Sequence, residues 1–272
     1  MDHTGSRLIK TAVAVIPARY NSTRLPGKPL LPIGGKALVV RVVERVLASQ
    51  TILRAIVATD DPRIIEAVES RGFEAMMTRS DHASGTDRVA EVAGNLEAEI
   101  IVNVQGDEPL IDPETIDRAV RALAVDPEIQ MATTSEPIAN AADLMNPAVV
   151  KVAVDEEGYA TFFSRNPVSF PNNAVQRHGS IAAALGNEPA LLSSFRKHTG
   201  LYVYRRGFLL EFTSWPQSES EASESLEQLR ALDRGVRIKV VEAASTSIGV
   251  DTMEDLERVR AIVECEMTSI AR

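Results

Sequence analysis

The chain predicts an α/β fold: a mostly parallel sheet covered by helices on both faces, with an inserted antiparallel hairpin lobe. Three observations carry this. Over the first 130 residues, apolar runs too short for helices alternate with amphipathic stretches. Within 149–164, two apolar runs flank Glu156-Glu157-Gly158, the pattern of a hairpin. The loop after the first run is rich in prolines and cations, which suits the carboxyl end of a parallel sheet that meets a polyanion.

The elements follow in order. Residues 13–16 are four apolar residues stopped by Pro17, a buried parallel strand. Leu38, Val39, Val42, Val43, Val46 and Leu47 give 37–48 helical spacing. A second strand, 55–59, ends at Asp60-Asp61. The next helix starts at Pro62 and closes at Gly72, with Pro in the first turn and Gly past the end. Residues 75–78 are a short strand. Thr86-Asp87 is expected to cap a helix ending near Gly94, and 99–104 is a third strong strand. Asp112-Pro113 opens another helix. Beyond the hairpin, 166–197 reads as irregular, 201–204 as a strand and 225–233 as a helix closed by Gly235. Residues 237–241 form the last strand, before Gly249-Val-Asp251 and a C-terminal helical pattern.

The 272 residues are 44% hydrophobic, ample for a buried core, and show no internal repeat and no linker. A net charge of −9 argues against nucleic acid as the main partner. No apolar run approaches the ~20 residues that span a bilayer, so no membrane association is expected. The polar first ten residues are expected to fray. One cysteine, Cys265, permits no intrachain disulfide and points to a reducing cytoplasm; it is expected to be a small packed residue.

The loop after the first strand holds Arg19, Arg24 and Lys28 among Ser22, Thr23 and Gly27, stiffened by Pro17, Pro26 and Pro29. Backbone amides and cations there could surround a triphosphate; the alternative is a solvated charged turn. It is neither Gly-x-x-x-x-Gly-Lys-Ser/Thr nor Gly-x-Gly-x-x-Gly, which argues against P-loop and dinucleotide folds. Gln105-Gly-Asp-Glu-Pro109 follows a strand, so Asp107 stands at the same sheet edge as the basic loop. There it suits a Mg²⁺ ligand, or a loop acid capping the next turn, with Glu108 supporting the loop. Asp251 could ligate the same metal. With Glu254 three residues on, it could equally cap a helix, and spacing alone favours the cap. No Ser–His–Asp or Cys–His arrangement stands out.

These motifs resemble the N-terminal signature of sugar nucleotidyltransferases. Further segments are Ile56-Val-Ala-Thr-Asp60, Asp81-His-Ala-Ser-Gly-Thr-Asp-Arg88, Val102-Asn-Val-Gln-Gly-Asp-Glu-Pro109, His198-Thr-Gly-Leu-Tyr202, Leu226-Glu-Gln-Leu-Arg230 and Gly249-Val-Asp-Thr252. Together, from about residue 12 to about 260, the chain is similar to the 3-deoxy-manno-octulosonate (Kdo) cytidylyltransferases, the CMP-Kdo synthetases of Gram-negative lipopolysaccharide synthesis. The resemblance implies a Rossmann-like fold of the nucleotide-diphospho-sugar transferase type. It implies one domain, with a nucleotide-binding half at about 12–130 plus 237–265 and a sugar-binding and dimerisation lobe at about 131–236. The implied reaction is CTP plus Kdo giving CMP-Kdo and pyrophosphate.

The resemblance also assigns roles. Asp107 and Asp251 would bind Mg²⁺, which reverses the balance at Asp251, although Met253 stands where the family more often has Pro. Arg19 and Lys28 would hold the phosphates and stabilise charge at the α-phosphorus, assisted by Arg24. Ala18, Ser22, Arg79, Ser84 and Gly85 would line the nucleotide pocket, with a surface pair between Arg79 and Asp81 as an equal alternative. The sugar acid would lie against Gln105, Arg165, His198, Tyr202, Glu227 and Gln228. Their bland alternatives are a solvated turn histidine, a buried aromatic and the polar face of a helix. Residues 172–196 and 218–225 depart from the family pattern. The family's homodimer would place the apolar hairpin row Val150, Val152, Val154, Ala160 and Phe162 at or beside the interface; the alternative is a hairpin packed on its own domain. A related sugar acid (8-amino-Kdo or an acylneuraminate) is the near alternative for the substrate, and a non-catalytic nucleotide-sensing module the distant one.

Overall fold

Side chains of the first strand alternate between two apolar cores, as a strand buried on both faces requires. The computed structural model describes residues 12–21, 24–167 and 170–270. In β1 (Ala12–Ala18), Ala12, Ala14 and Ile16 face one core while Val13 and Val15 face the other. The expectation for the first ten residues, and the hydroxyls Ser22 and Thr23, lie outside the described residues.

A 3₁₀ turn (Lys28–Leu30) leads into a two-strand ladder, β2 (Pro32–Ile33) and β3 (Lys36–Ala37), which the sequence pattern did not announce. Then α1 (Leu38–Leu47), β4 (Ile52–Thr59), α2 (Pro62–Glu69), β5 (Glu74–Met77), α3 (Gly85–Gly94), β6 (Ile100–Asn103) and α4 (Pro113–Ala124) follow the expected rhythm. Asp61 and Asp112 cap α2 and α4 ahead of a proline, as their sequences suggest. For α3 the cap is Ser84, in a capping box with Asp87, not Thr86-Asp87 as expected.

The second half is more regular than its sequence suggests. It runs β7 (Met131–Pro137), α5 (Ala141–Met145), β8 (Lys151–Val154), β9 (Ala160–Ser164), α6 (Asn172–His178) and α7 (Ile181–Asn187). A 3₁₀ turn (Pro189–Ser194), β10 (Arg196–Arg205), α8 (Arg206–Ser214), α9 (Glu219–Glu224), α10 (Gln228–Asp233), β11 (Ile238–Glu242) and α11 (Met253–Ile270) complete it. The stretch expected to be irregular, 166–197, folds into short helices around a small core of Ile138, Leu144, Leu185 and Phe195. The helix expected at 225–233 starts later, because the chain turns at Ser225 between α9 and α10.

The sheet order is β11-β7-β10-β6-β1-β4-β5. β1, β4, β5 and β6 are mutually parallel, β11 is parallel to β7, and β10 runs antiparallel to both β6 and β7. The fold is therefore the mostly parallel α/β sheet with an antiparallel insertion. The reversed β10 begins beside the carboxyl ends of β6 and β7, which places the start of the sugar-side motif at the edge where the basic loop emerges.

The hairpin corrects one expectation. Val152 and Phe163 are cross-strand partners facing the core, and Ala160 is buried with them. Its turn returns to β11, where the Val240 amide donates to the Gly158 carbonyl at 2.9 Å. Of this row Val154 (37% exposed) and Phe162 (43% exposed) remain bare: Phe162 alternates with the buried Phe163, and the ladder's register shifts between Ala153 and Val154. Cys265 is likewise exposed on α11 rather than packed, because it lies off that helix's buried stripe of Leu256, Val259 and Val263. No described helix is long and apolar enough to cross a membrane.

Candidate active site

Three loops meet at the carboxyl edge of β1 and β6. The Lys28 ammonium, largely shielded from solvent at the start of its 3₁₀ turn, donates to Asp107 Oδ2 at 2.6 Å and to Asp251 Oδ1 at 3.2 Å. Arg24 Nη2 meets the other oxygen of Asp251 at 3.1 Å. A bond from the Val250 amide to the Asp107 carbonyl, 2.9 Å, ties the two aspartate loops together. Gly106 permits this arrangement: a β-carbon there would come within 2.6 Å of the Pro17 carbonyl oxygen, too close for any other residue.

The capping alternative for Asp251 fails on geometry. Thr252 and Asp255 form the reciprocal pair at the start of α11: the Asp255 amide donates to Thr252 Oγ1 at 3.2 Å. Asp255 Oδ2 accepts from the Thr252 amide at 2.9 Å and the Asp251 amide at 3.1 Å. Burial would raise the Asp255 carboxyl, but the Thr252 hydroxyl and these amides outweigh it and hold it below the usual range. The Asp251 carboxylate is left to the cations. Beside Asp107, Glu108 is pushed up to about 7, mainly by burial and then by the charge of Asp107.

Among the nucleotide-side residues, Ala18 ends β1 and Arg19 Nη2 donates to the His82 carbonyl at 3.0 Å. This joins the basic loop to the Asp81–Arg88 motif. Ser84 and Gly85 begin α3, where Gly85 packs against Pro17. Arg79 is not brought into this group: its Nε binds Asp81 at 3.0 Å in a pair 69% and 74% exposed, the surface alternative. Ser22 lies outside the described residues. One residue was missed. Arg88 is fully buried, donates to Thr78 Oγ1 and lies 3.3 Å from Asp60, with its Nε and Nη2 lacking a hydrogen-bond partner. Burial lowers its pKa; Asp60 opposes this and nearby Arg19 adds to it. Its place on the apolar face of α3, with Val89 and Val92, was the available signal.

The sugar-side residues gather around the start of β10. A register irregularity between Thr199 and Tyr202 lets this strand re-aim its side chains. Gly200 allows Gln105 to approach, since a β-carbon there would lie 3.0 Å from Gln105 Cγ; Gln105 Nε2 donates to the Gly200 carbonyl at 3.3 Å. His198 packs against Tyr202 with its ring tilted by 47° and meets Phe163 edge-on, each with ring centres 5.2 Å apart. It is no turn histidine: burial pushes its pKa down to about 3, so the ring is neutral at ordinary pH. Thr133 Oγ1 lies 2.8 Å from the Leu201 carbonyl oxygen and 2.8 Å from His198 Nε2, so the hydroxyl engages that ring nitrogen.

Tyr202 Oη donates to Gln228 Oε1 at 3.1 Å, and burial, then Glu227, raises the phenol's pKa. Gln228 Nε2 is buried without a partner. Glu227 Oε2 accepts from the Thr86 hydroxyl at 2.5 Å, which joins α10 to the nucleotide side of α3. Arg165 gives Nε, Nη1 and Nη2 to the carbonyls of Glu224, Pro147 and Ser225 at 2.8, 3.1 and 3.4 Å. That leaves two of its five N–H groups uncommitted. A cavity of about 470 Å³ runs from Ser84 and Asp87 to Glu227 and Arg230.

No three-ligand His/Cys/Asp/Glu cluster occurs among the described residues. The site does fit Mg²⁺, which needs only one or two protein carboxylates and hard oxygen donors. Asp107 and Asp251 already converge on one cation, the Lys28 ammonium.

Known proteins agree with this architecture. The cytidylyltransferase family model matches residues 13–238. The 3-deoxy-manno-octulosonate cytidylyltransferase of Syntrophotalea carbinolica is 50% identical over 248 residues, covering 91% of this chain and 96% of that protein. That of Pseudomonas syringae pv. syringae is also 50% identical, over 254 residues, covering 92% and 97%. A solved CMP:2-keto-3-deoxy-manno-octonic acid synthetase complexed with CTP superposes with a TM-score of 0.84 at 43% identity, covering 94% of this chain and 99% of that one. The 4-diphosphocytidyl-2C-methyl-D-erythritol synthase of Anaerococcus prevotii shares the fold, with a TM-score of 0.59 at 15% identity over 94% of this chain and 99% of its own.

The cap assignment has a direct consequence. Asp255→Ala is expected to cost about 1 kcal/mol of stability in urea unfolding. Asp251→Asn is expected to stay within about 0.5 kcal/mol of the parent. The reverse order would return Asp251 to a capping role.

Proposed function

The chain belongs to the 3-deoxy-manno-octulosonate cytidylyltransferases, and from that premise we propose that it transfers CMP from CTP to the anomeric hydroxyl of Kdo, releasing pyrophosphate and so activating Kdo for lipopolysaccharide synthesis. The observation that carries this reading is the convergence of Lys28 and Arg24 on Asp107 and Asp251 at the sheet edge, beside Arg19.

Arg19, Arg24 and Lys28 are the cations for the triphosphate. Asp107 and Asp251 would hold Mg²⁺, which when bound neutralises phosphate charge and lowers the pKa of the attacking hydroxyl. The sugar's 2-hydroxyl attacks the α-phosphorus in line; one P–O bond forms as the bond to pyrophosphate breaks. Arg19 and Lys28 stabilise the charge that develops, and the protein forms no covalent bond of its own. On the sugar side, neutral His198 can hydrogen-bond a hydroxyl through Nδ1, and the unpartnered Gln228 Nε2 can donate to an oxygen. Gln105 and Glu227 add polar contacts, and Arg165 supplies a cation for the sugar carboxylate. Tyr202 orients Gln228.

The departure at 218–225 falls on residues bonded to Arg165, which favours testing related sugar acids alongside Kdo. We also infer a two-fold dimer through the hairpin, because β9 pairs only with β8 among the described strands and leaves Phe162 and Val154 bare. The single cysteine supports a reducing cytoplasm as its compartment.

With CTP, Mg²⁺ and Kdo the enzyme is expected to release pyrophosphate, and Asp107→Asn and Asp251→Asn should each lower turnover by at least ~10²-fold. Activity in either variant near the parent's would remove that aspartate from the metal site. In sedimentation at micromolar concentration, a dimer is expected, and a clean 29.5 kDa species would contradict it.

A further inference from the structure

The stretch 218–225, which departs from the family pattern, forms a strap across the sugar side. α9 opens with a capping box of Ser218 and Glu221, and Glu221 is buried against Arg230, with contacts of 2.6 and 2.7 Å. At its far end the Glu224 carboxylate accepts from the Ser164 hydroxyl at 3.1 Å and from the Arg165 amide at 3.0 Å. The Glu224 carbonyl takes Arg165 Nε, and the Ser225 carbonyl takes Nη2. Ser225 itself has φ 54°, the sole positive φ of a non-glycine among the described residues. A left-handed L-residue persists only where its surroundings hold it. Here it turns the chain from α9 into Glu227 and Gln228 at the start of α10. Arg165 and Glu227 come from distant segments, yet both are referred to the same two residues.

We propose that Glu224 is a positioning residue for sugar-acid binding, fixing Arg165 and, through Ser225, the Glu227–Gln228 turn; this rests on the sugar-acid cytidylyltransferase reading above. Ser164 is buried, so removing its acceptor strands a buried hydroxyl together with the Arg165 amide. The end of β9 then loses its side-chain tether to α9, and the Arg165 backbone that carries the guanidinium is freed to shift against the main-chain carbonyls that hold it. None of Arg19, Lys28, Asp107 and Asp251 contacts α9 in a bond described above, so the larger effect falls on the sugar acid, with the Thr86–Glu227 bond as the link to the nucleotide side.

Steady-state pyrophosphate release with both substrates varied tests this. Glu224→Ala is expected to raise KM for Kdo roughly tenfold or more, with KM for CTP within about twofold of the parent. Glu224→Gln keeps the shape and one acceptor, and should fall between parent and Ala. It also serves if the alanine variant does not fold. A Glu224→Ala enzyme with unchanged or lower KM for Kdo, or with both KM values rising together, overturns the proposal. A parent active only with another sugar acid overturns the Kdo assignment alone, and the series is then read with that acid. A parent inactive with every sugar acid overturns both.

Discussion

Two carboxylates gathered on one ammonium organise this protein's sheet edge. Asp107 and Asp251 come from loops far apart in the chain, and like charges brought together repel unless a cation sits between them. Lys28 supplies that cation, and the Val250–Asp107 backbone bond holds the loops in place. At this range the Coulomb attraction is on the order of a few kcal/mol in a partly shielded setting. Desolvation of the ammonium, and the near-half exposure of Asp251, offset much of it. The cluster is therefore better understood as a site than as a source of stability. Its cost is borne because β1, β6 and β11 all deliver their following loops to one edge.

The reversed strand β10 explains why the sugar side lies beside this cluster. A parallel strand between β6 and β7 would have carried residues 196–200 to the opposite edge. Running antiparallel, β10 sets His198 and Gly200 next to Gln105, and its irregular register turns Tyr202 toward Gln228. The Thr86–Glu227 bond then joins the helix that opens the nucleotide side to the helix that closes the sugar side. One hydrogen bond thus connects the two substrate regions, and the half-buried, neutral His198 contributes shape and a polar ring nitrogen rather than charge.

Much of the parallel half could be read from its residues, because β1 and the second half of β4, from Ala55 on, are buried on both faces and carry short apolar runs. The helix starts at Pro62 and at Asp112-Pro113 were equally plain. β7 was not legible: its Thr133, Thr134, Ser135 and Glu136 are polar yet buried, facing partners such as the Leu201 carbonyl and the Lys197 ammonium that no local pattern reveals. The same holds for Arg88, a buried cation whose environment is made by Asp60 and Thr78 from other elements. Lys28 and Asp107 were found from residue type and strand-end position, whereas at Asp251 spacing favoured a cap and only the family resemblance pointed to the metal. The Thr252–Asp255 cap was hidden behind the Asp251–Glu254 spacing, and the Arg79–Asp81 pair could not be decided without the fold.

The account stands on Asp107 and Asp251 forming one cation site that also serves the nucleotide. Electron paramagnetic resonance of Mn²⁺ titrated into the protein with CTP tests this most directly. One tightly bound Mn²⁺ per chain is expected in the parent, and its loss in both Asp107→Asn and Asp251→Asn. Parent-like Mn²⁺ binding in either variant would contradict it.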